Sequence, residues 1–156
     1  MEQKEEGYFT YFAKVDKVYR KLCSQAVAEY DFTPNEILVM MFLANNPDLN
    51  SASDIAHYRN ISKSLVAKSV DSLCEKGYLT TGKDRKDRRL VHLYLTGKSD
   101  EIVKRLKDSR RDFLQRLYEG ISPEDKEALG RASAVMNRNL TNILNGGEDG
   151  RSETGK

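Results

Sequence analysis

Apolar residues recur every three or four positions along the first part of the chain, at Phe9, Phe12, Val15, Tyr19, Leu22, Ala26 and Tyr30. The spacing predicts a helix from about Tyr8 to Tyr30. Tyr8, Tyr11, Val18, Cys23 and Val27 widen its stripe beyond what one neighbour needs, the pattern of a helix shared between two chains. Thr33-Pro34-Asn35-Glu36 is a helix start with a cap, a proline at the first helical position and a capping-box acid, and Asn45-Asn46-Pro47-Asp48 ends that helix. Ser51 is expected to cap a short third helix through Tyr58, and Arg59-Asn60-Ile61 reads as a tight turn. Ser62 is expected to cap a fourth helix through Lys76, with Gly77 in a left-handed C-terminal position. Val66, Val70, Leu73 and Cys74 form its inward stripe, while Lys63, Ser64, Ala67, Lys68 and Asp71 face away.

After Gly77 the period falls to two. Val91, Leu93 and Leu95 alternate with Leu90, His92 and Tyr94, so one strand is predicted there, with Tyr78 to Thr81 as its partner and residues 82–89 as the hairpin tip. Thr96 is expected to cap a long helix through Tyr118, and Gly120 to break it. Ser122-Pro123-Glu124-Asp125 then starts a last helix carrying Leu129, Ala132, Met136, Leu140, Ile143 and Leu144. Residues 145–156 are rich in glycine and charge, which predicts a disordered tail. The fold class expected is mainly α with a small β-hairpin, an α+β winged helix-turn-helix with helices before and after it.

Charge sharpens this picture. Residues 59–92 hold nine Lys or Arg and four acids, a net of +5, whereas the whole chain is +2, so everything else sums to −3. Such polarity suits a polyanion. The major groove of B-form DNA admits one helix, and a helix start favours phosphate. The predicted recognition-helix residues are Ser62, Lys63, Ser64, Leu65, Ala67 and Lys68, with Ser62 serving also as a plain cap and Leu65 available to a thymine methyl. The tip offers Lys83, Arg85, Lys86, Arg88 and Arg89 to the minor groove, where a narrow A·T tract attracts arginine. Asp84 and Asp87 are expected to stabilise the wing from within. A charge run otherwise marks only a solvated face.

Ile61-Ser62-Lys63-Ser64-Leu65-Val66, Leu73-Cys74-Glu75-Lys76-Gly77-Tyr78-Leu79, Asp87-Arg88-Arg89 and Leu95-Thr96 resemble the MarR family of bacterial transcriptional regulators, over roughly residues 8–144. The family's wing motif D-x-R-D-x-R stands here as Asp84-Arg85-Lys86-Asp87-Arg88-Arg89, with lysine for the first of its two motif arginines. Leu65 stands where the family often carries a small polar residue. The resemblance implies a homodimer built from residues 1–32 and 97–144, and a DNA-binding domain at 33–96. It also implies a pseudo-palindromic operator and control, most often of a repressor, by a small aromatic effector. Two reading heads must then lie about 34 Å apart to use one face of the duplex. Phe12, Tyr19 and Tyr30 could line the effector pocket, or serve core and dimer packing. The rival reading is a winged-helix module for protein–protein assembly whose wing binds an acidic partner; a third is a nonspecific DNA binder.

No catalytic or cofactor site is expected. Gly97-Lys98-Ser99 follows a strand, but the upstream glycine of a phosphate-binding loop is replaced by His92. His57 and His92 are far apart, which argues against a metal site. Cys23 and Cys74 form no C-x-x-C and read as free thiols of a cytoplasmic protein; Cys23 reads as a small buried apolar residue, and the family resemblance implies the alternative of an oxidant sensor. Asn60-Ile61-Ser62 and Asn139-Leu140-Thr141 match the glycosylation pattern but have no consequence without export. No apolar run approaches the ~20 residues of a membrane span.

Overall fold

The structure, a computed structural model, describes residues 2–146, with side chains from residue 7 onward. Six helices and one hairpin follow in the order α1 (Glu2–Ala26), α2 (Pro34–Asn45), α3 (Ala52–Arg59), α4 (Lys63–Glu75), β1 (Leu79–Lys83), β2 (Val91–Leu95), α5 (Asp100–Leu117) and α6 (Pro123–Leu144). The chain divides into two compact units, Met1–Leu114 and Gln115–Lys156. The first is a winged helix-turn-helix with a two-stranded antiparallel sheet. Among the described residues no helix is long and apolar enough to cross a membrane.

The capping signals act as the residue types dictate. The Glu36 amide donates to Thr33 Oγ1 at 3.2 Å and the Thr33 amide to Glu36 Oε2 at 2.9 Å, a reciprocal box that satisfies two otherwise orphaned donors. Ser51 and Asp54 repeat it at 3.1 Å each way. Asn60 ends α3 in the left-handed region at φ 51°, which an asparagine tolerates. At the end of α4 the Tyr78 amide bonds Leu73 O at 2.8 Å and the Gly77 amide bonds Cys74 O at 3.0 Å, with Gly77 at φ 83°. This Schellman closure favours glycine at the positive φ of Gly77, and both Tyr78 and Leu73 beside it are buried.

The core of the first unit joins α2, α3, α4, the hairpin and α5. Met40, Ile55, Val66, Leu73, Ile102 and Leu106 are fully buried there, each worth about 1.5–3 kcal/mol of burial. From α1 the C-terminal part joins, through Cys23 and the partly buried Tyr19, and the following Val27 continues it.

Four boundaries differ from expectation. Helix α1 begins at Glu2, because the charged residues before Tyr8 are good helix formers. It stops at Ala26 rather than Tyr30: Val27 leaves helical geometry, and a single 3-10 turn over Ala28–Tyr30 closes on left-handed Asp31 at φ 55°. Strand β1 starts after Tyr78 and takes in Gly82 and Lys83, since the helix closure consumes the Tyr78 amide; the tip is therefore residues 84–90. Thr96 does not cap with its side chain. Its hydroxyl donates to Gly77 O at 2.7 Å, and a 3-10 turn over Gly97–Ser99 precedes α5.

In the second unit the Asp125 amide donates to Ser122 Oγ at 3.1 Å and starts α6, with Pro123 inside the first turn. No residue of α6 is buried, and Leu140, Ile143 and Leu144 are its most exposed large apolar residues. Beyond Gly146 the expected disordered tail lies outside the described residues.

Candidate nucleic-acid interface and cavity

Helix α4 divides cleanly. Val66, Ser69, Val70 and Leu73 are buried, and the Ser69 hydroxyl is neutralised by donating to Leu65 O at 2.9 Å. Lys63, Ser64, Leu65, Ala67 and Lys68 are exposed on the other arc. Leu65 is 45% exposed, an apolar side chain held in water at the start of the helix. The Ser62 hydroxyl accepts from the Leu65 amide at 3.2 Å and lies 3.3 Å from Ser64 Oγ. The first turn contains no acid, so the positive end of the helix is left without a carboxylate of its own.

The C-terminal end of α4 is fixed by Glu36, which the sequence marks only as the capping-box acid of α2. Glu36, 2% exposed, accepts from the Ser72 hydroxyl and from Lys76 Nζ at 3.2 Å, while Lys76 also lies over the Phe32 ring. Burial pushes the Glu36 carboxyl up, but the bonds from Ser72, Thr33 and Lys76 together hold it below the usual range. Partners 36 and 40 positions apart leave no local pattern to find.

The wing tip is tied by its aspartates. Asp84 Oδ2 accepts from the amides of Lys86 at 3.0 Å and Asp87 at 2.9 Å; Asp87 Oδ1 accepts from the Arg89 amide at 3.0 Å. The Asp87 amide chiefly, then His92 and the Lys86 amide, holds the Asp84 carboxyl below its ordinary value. Both acids thus serve the backbone. Among the described residues, none of Lys83, Arg85, Lys86, Arg88 and Arg89 has a carboxylate within ion-pair distance, so the cations stay available. A second unforeseen contact anchors the tip: the His92 ring lies between Asn50 Oδ1, 2.6 Å from Nδ1, and Asp84 Oδ1, 3.1 Å from Nε2.

A cavity of about 430 Å³ lies in the same unit, lined by Phe12, Tyr19, Cys23, Leu38, Met41, Phe42 and Phe113, with Arg20, Arg59 and Arg110 at its wall. Burial and the adjacent Cys23 push the Tyr19 phenol up to about 12, and burial likewise raises the Cys23 thiol. Both are therefore held protonated, and Cys23 is poor in thiolate. Phe12 and Tyr19 meet here. Tyr30 does not: it stacks on Phe32, with the Arg105 guanidinium 5.4 Å from its ring centre. Gly97-Lys98-Ser99 is a structural joint, in which Lys98 Nζ donates to Lys76 O at 2.6 Å and Ser99 Oγ to Thr96 O at 2.6 Å. Among the described residues no group of three His, Cys, Asp or Glu could hold a metal.

The sequence pattern of the MarR family matches residues 30–90, the segment from the 3-10 turn to the end of the wing tip. The uncharacterized HTH-type transcriptional regulator YfiV of Bacillus subtilis is 30% identical over 112 residues, which cover 72% of this chain and 69% of that protein. Among solved structures, Streptococcus pneumoniae FabT in complex with DNA superposes with a TM-score of 0.72 at 20% identity, over 92% of this chain and 99% of that one. Bordetella bronchiseptica BpsR, whose DNA binding is regulated by 6-hydroxynicotinic acid, gives 0.65 at 18% identity over 84% and 98%. A capped basic helix, a hairpin tip whose cations have no ion-pair partner among the described residues, and these likenesses converge: the chain belongs to the MarR family of DNA-binding transcriptional regulators.

Proposed function

We propose that the protein is a homodimeric, ligand-responsive repressor of a pseudo-palindromic operator. In this reading α4 enters the major groove. Lys63 and Lys68 bond phosphate or guanine edges, Ser62 and Ser64 meet phosphate at the helix start, and Ala67 and Leu65 pack on base methyls. The wing carries Arg88 and Arg89, with Lys83, Arg85 and Lys86, to the flanking minor groove. The observation that carries the reading is the division of α4: its core face is fully committed while its other arc is exposed, and among the described residues the wing cations have no carboxylate within ion-pair distance. The exposed apolar residues of α6 and of the N-terminal half of α1, Phe9 at 76% among them, support a second copy as their cover. The aromatic cavity, with Arg59 and Arg110 beside an Arg20 that pairs with Asp16, suits a small aromatic effector bearing negative charge. FabT supports the DNA and BpsR the effector by likeness of fold.

Selection of bound duplexes from a random pool tests this directly. A palindromic motif is expected, with log affinity falling about 0.9 per log salt for each phosphate contacted. Replacing Arg88 and Arg89 together by alanine should weaken binding by at least about 1 kcal/mol. A salt slope with no recovered motif would leave a nonspecific binder. Binding to acidic protein but not to duplex would point to an assembly module.

A further inference from the structure

His92 sits between the two halves of the DNA-binding lobe. Its strand is joined to the α2–α3 loop by the Leu93 amide, which donates to Asn50 O at 2.8 Å. The ring then bonds the Asn50 side chain on one side and Asp84 on the other, positions 42 and 8 residues away in sequence. Asp84 uses its second oxygen for the Lys86 and Asp87 amides. One ring thus stands a single bond away from the turn that carries the wing cations.

Both atoms facing the ring are acceptors, an amide oxygen and a carboxylate oxygen. A neutral imidazole has one N–H; only the imidazolium donates from both nitrogens. A neutral ring must either set a lone pair against one oxygen or wait for the Asn50 amide to turn over. We propose that His92 is the positioning residue of the wing, holding the Asp84 turn to Asn50 as an imidazolium, so that wing-dependent DNA binding is linked to the protonation of this ring. The DNA half of this inference rests on the wing contacts proposed above; the hydrogen-bond half does not.

The charges around the ring are few. Strand β1 brings Lys83, next to the Gly82 that pairs with His92. On α3, Asp54 is committed to the Ser51 cap and His57 packs edge-on to Tyr58; on α2, Glu36 is committed to Ser72 and Lys76. Asp84 is the one carboxylate among the described residues within ion-pair distance of the ring. It stays ionised throughout the range in which histidines titrate, since its carboxyl is held low. The sign follows from the bonds alone: the doubly protonated ring donates to both acceptors, and the ring that has lost one proton can donate to only one of them.

The test uses the full chain and the duplex recovered by selection, labelled with fluorescein, titrated from pH 5.5 to 8.5. Wild type should lose about three- to tenfold in affinity across the range, the factor of one solvent-accessible hydrogen bond. His92→Gln keeps one donor but cannot titrate, and its affinity should stay flat within about twofold. Asn50→Asp removes the amide that could turn over and should steepen the dependence. Without DNA, nitrogen-15 spectra should show both ring nitrogens protonated at low pH, and the Lys86 and Asp87 amides should exchange faster with solvent in His92→Ala. An identical pH profile in wild type and His92→Gln overturns the proposal. So does a singly protonated ring with those amides still protected. If replacing Arg88 and Arg89 leaves affinity unchanged, the wing's contact with DNA fails instead, and the spectra and exchange alone decide the role of His92.

Discussion

Helices α2 and α6 begin alike and end in opposite circumstances. Thr33-Pro34 and Ser122-Pro123 each place a hydroxyl cap and a proline before an acid at the third helical position. Yet α2, twelve residues long, has seven of them buried, whereas α6, with twenty-two, has none. The acids differ too. Glu36 reaches back to its cap and across to Ser72 and Lys76, while the Asp125 side chain makes no such return bond among the described residues. Local signals decide that a helix forms; what stabilises it is the apolar face it can bury. For α2 that cover is supplied within its own chain. For α6 it is left to a second copy in the proposed dimer.

The contrast can be broken at three places. Leu73→Ala, at a fully buried position on α4, should cost about 3 kcal/mol in chemical unfolding of the protein. A loss under 1 kcal/mol would mean the first unit does not depend on its own core. Leu140→Asp with Ile143→Asp should raise the dimer dissociation constant some thirty- to hundredfold, about 2–3 kcal/mol, while the unfolding of the monomer changes little. Sedimentation read against protein concentration would show it, and an unaltered dimer would free α6 from the interface. The smallest effect is the sharpest comparison. Thr33→Ala and Ser122→Ala should each cost about 1 kcal/mol. The first loss should be independent of protein concentration. The second should grow as the protein is diluted toward the dimer dissociation constant, and equal, concentration-independent losses would erase the distinction.

Short-range chemistry could be read directly from the residues. The caps at Thr33, Ser51, Ser62 and Ser122 all form, and Gly77 takes the positive φ that its place after α4 required. The inward and outward arcs of α4 follow the apolar spacing. Two of the misplaced boundaries arose where a residue had two uses. Tyr78 looks like a strand residue, but its amide closes α4; Thr96 looks like a cap, but its hydroxyl joins Gly77. Tyr30 shares the apolar spacing of Phe12 and Tyr19, yet the break at Val27 turns it away from their cavity and onto Phe32.

The sequence by itself determined the elements, the surplus of charge between residues 59 and 92 and the capped start of the basic helix, because these depend on neighbours within about four positions. Only the tertiary structure decided that Glu36 would lock the end of α4 and that His92 would join Asn50 to Asp84. It alone also closed Tyr19 and Cys23 around a cavity. Such bonds span tens of residues. Their partners are ordinary polar side chains until packing excludes water and leaves each donor with one acceptor in reach.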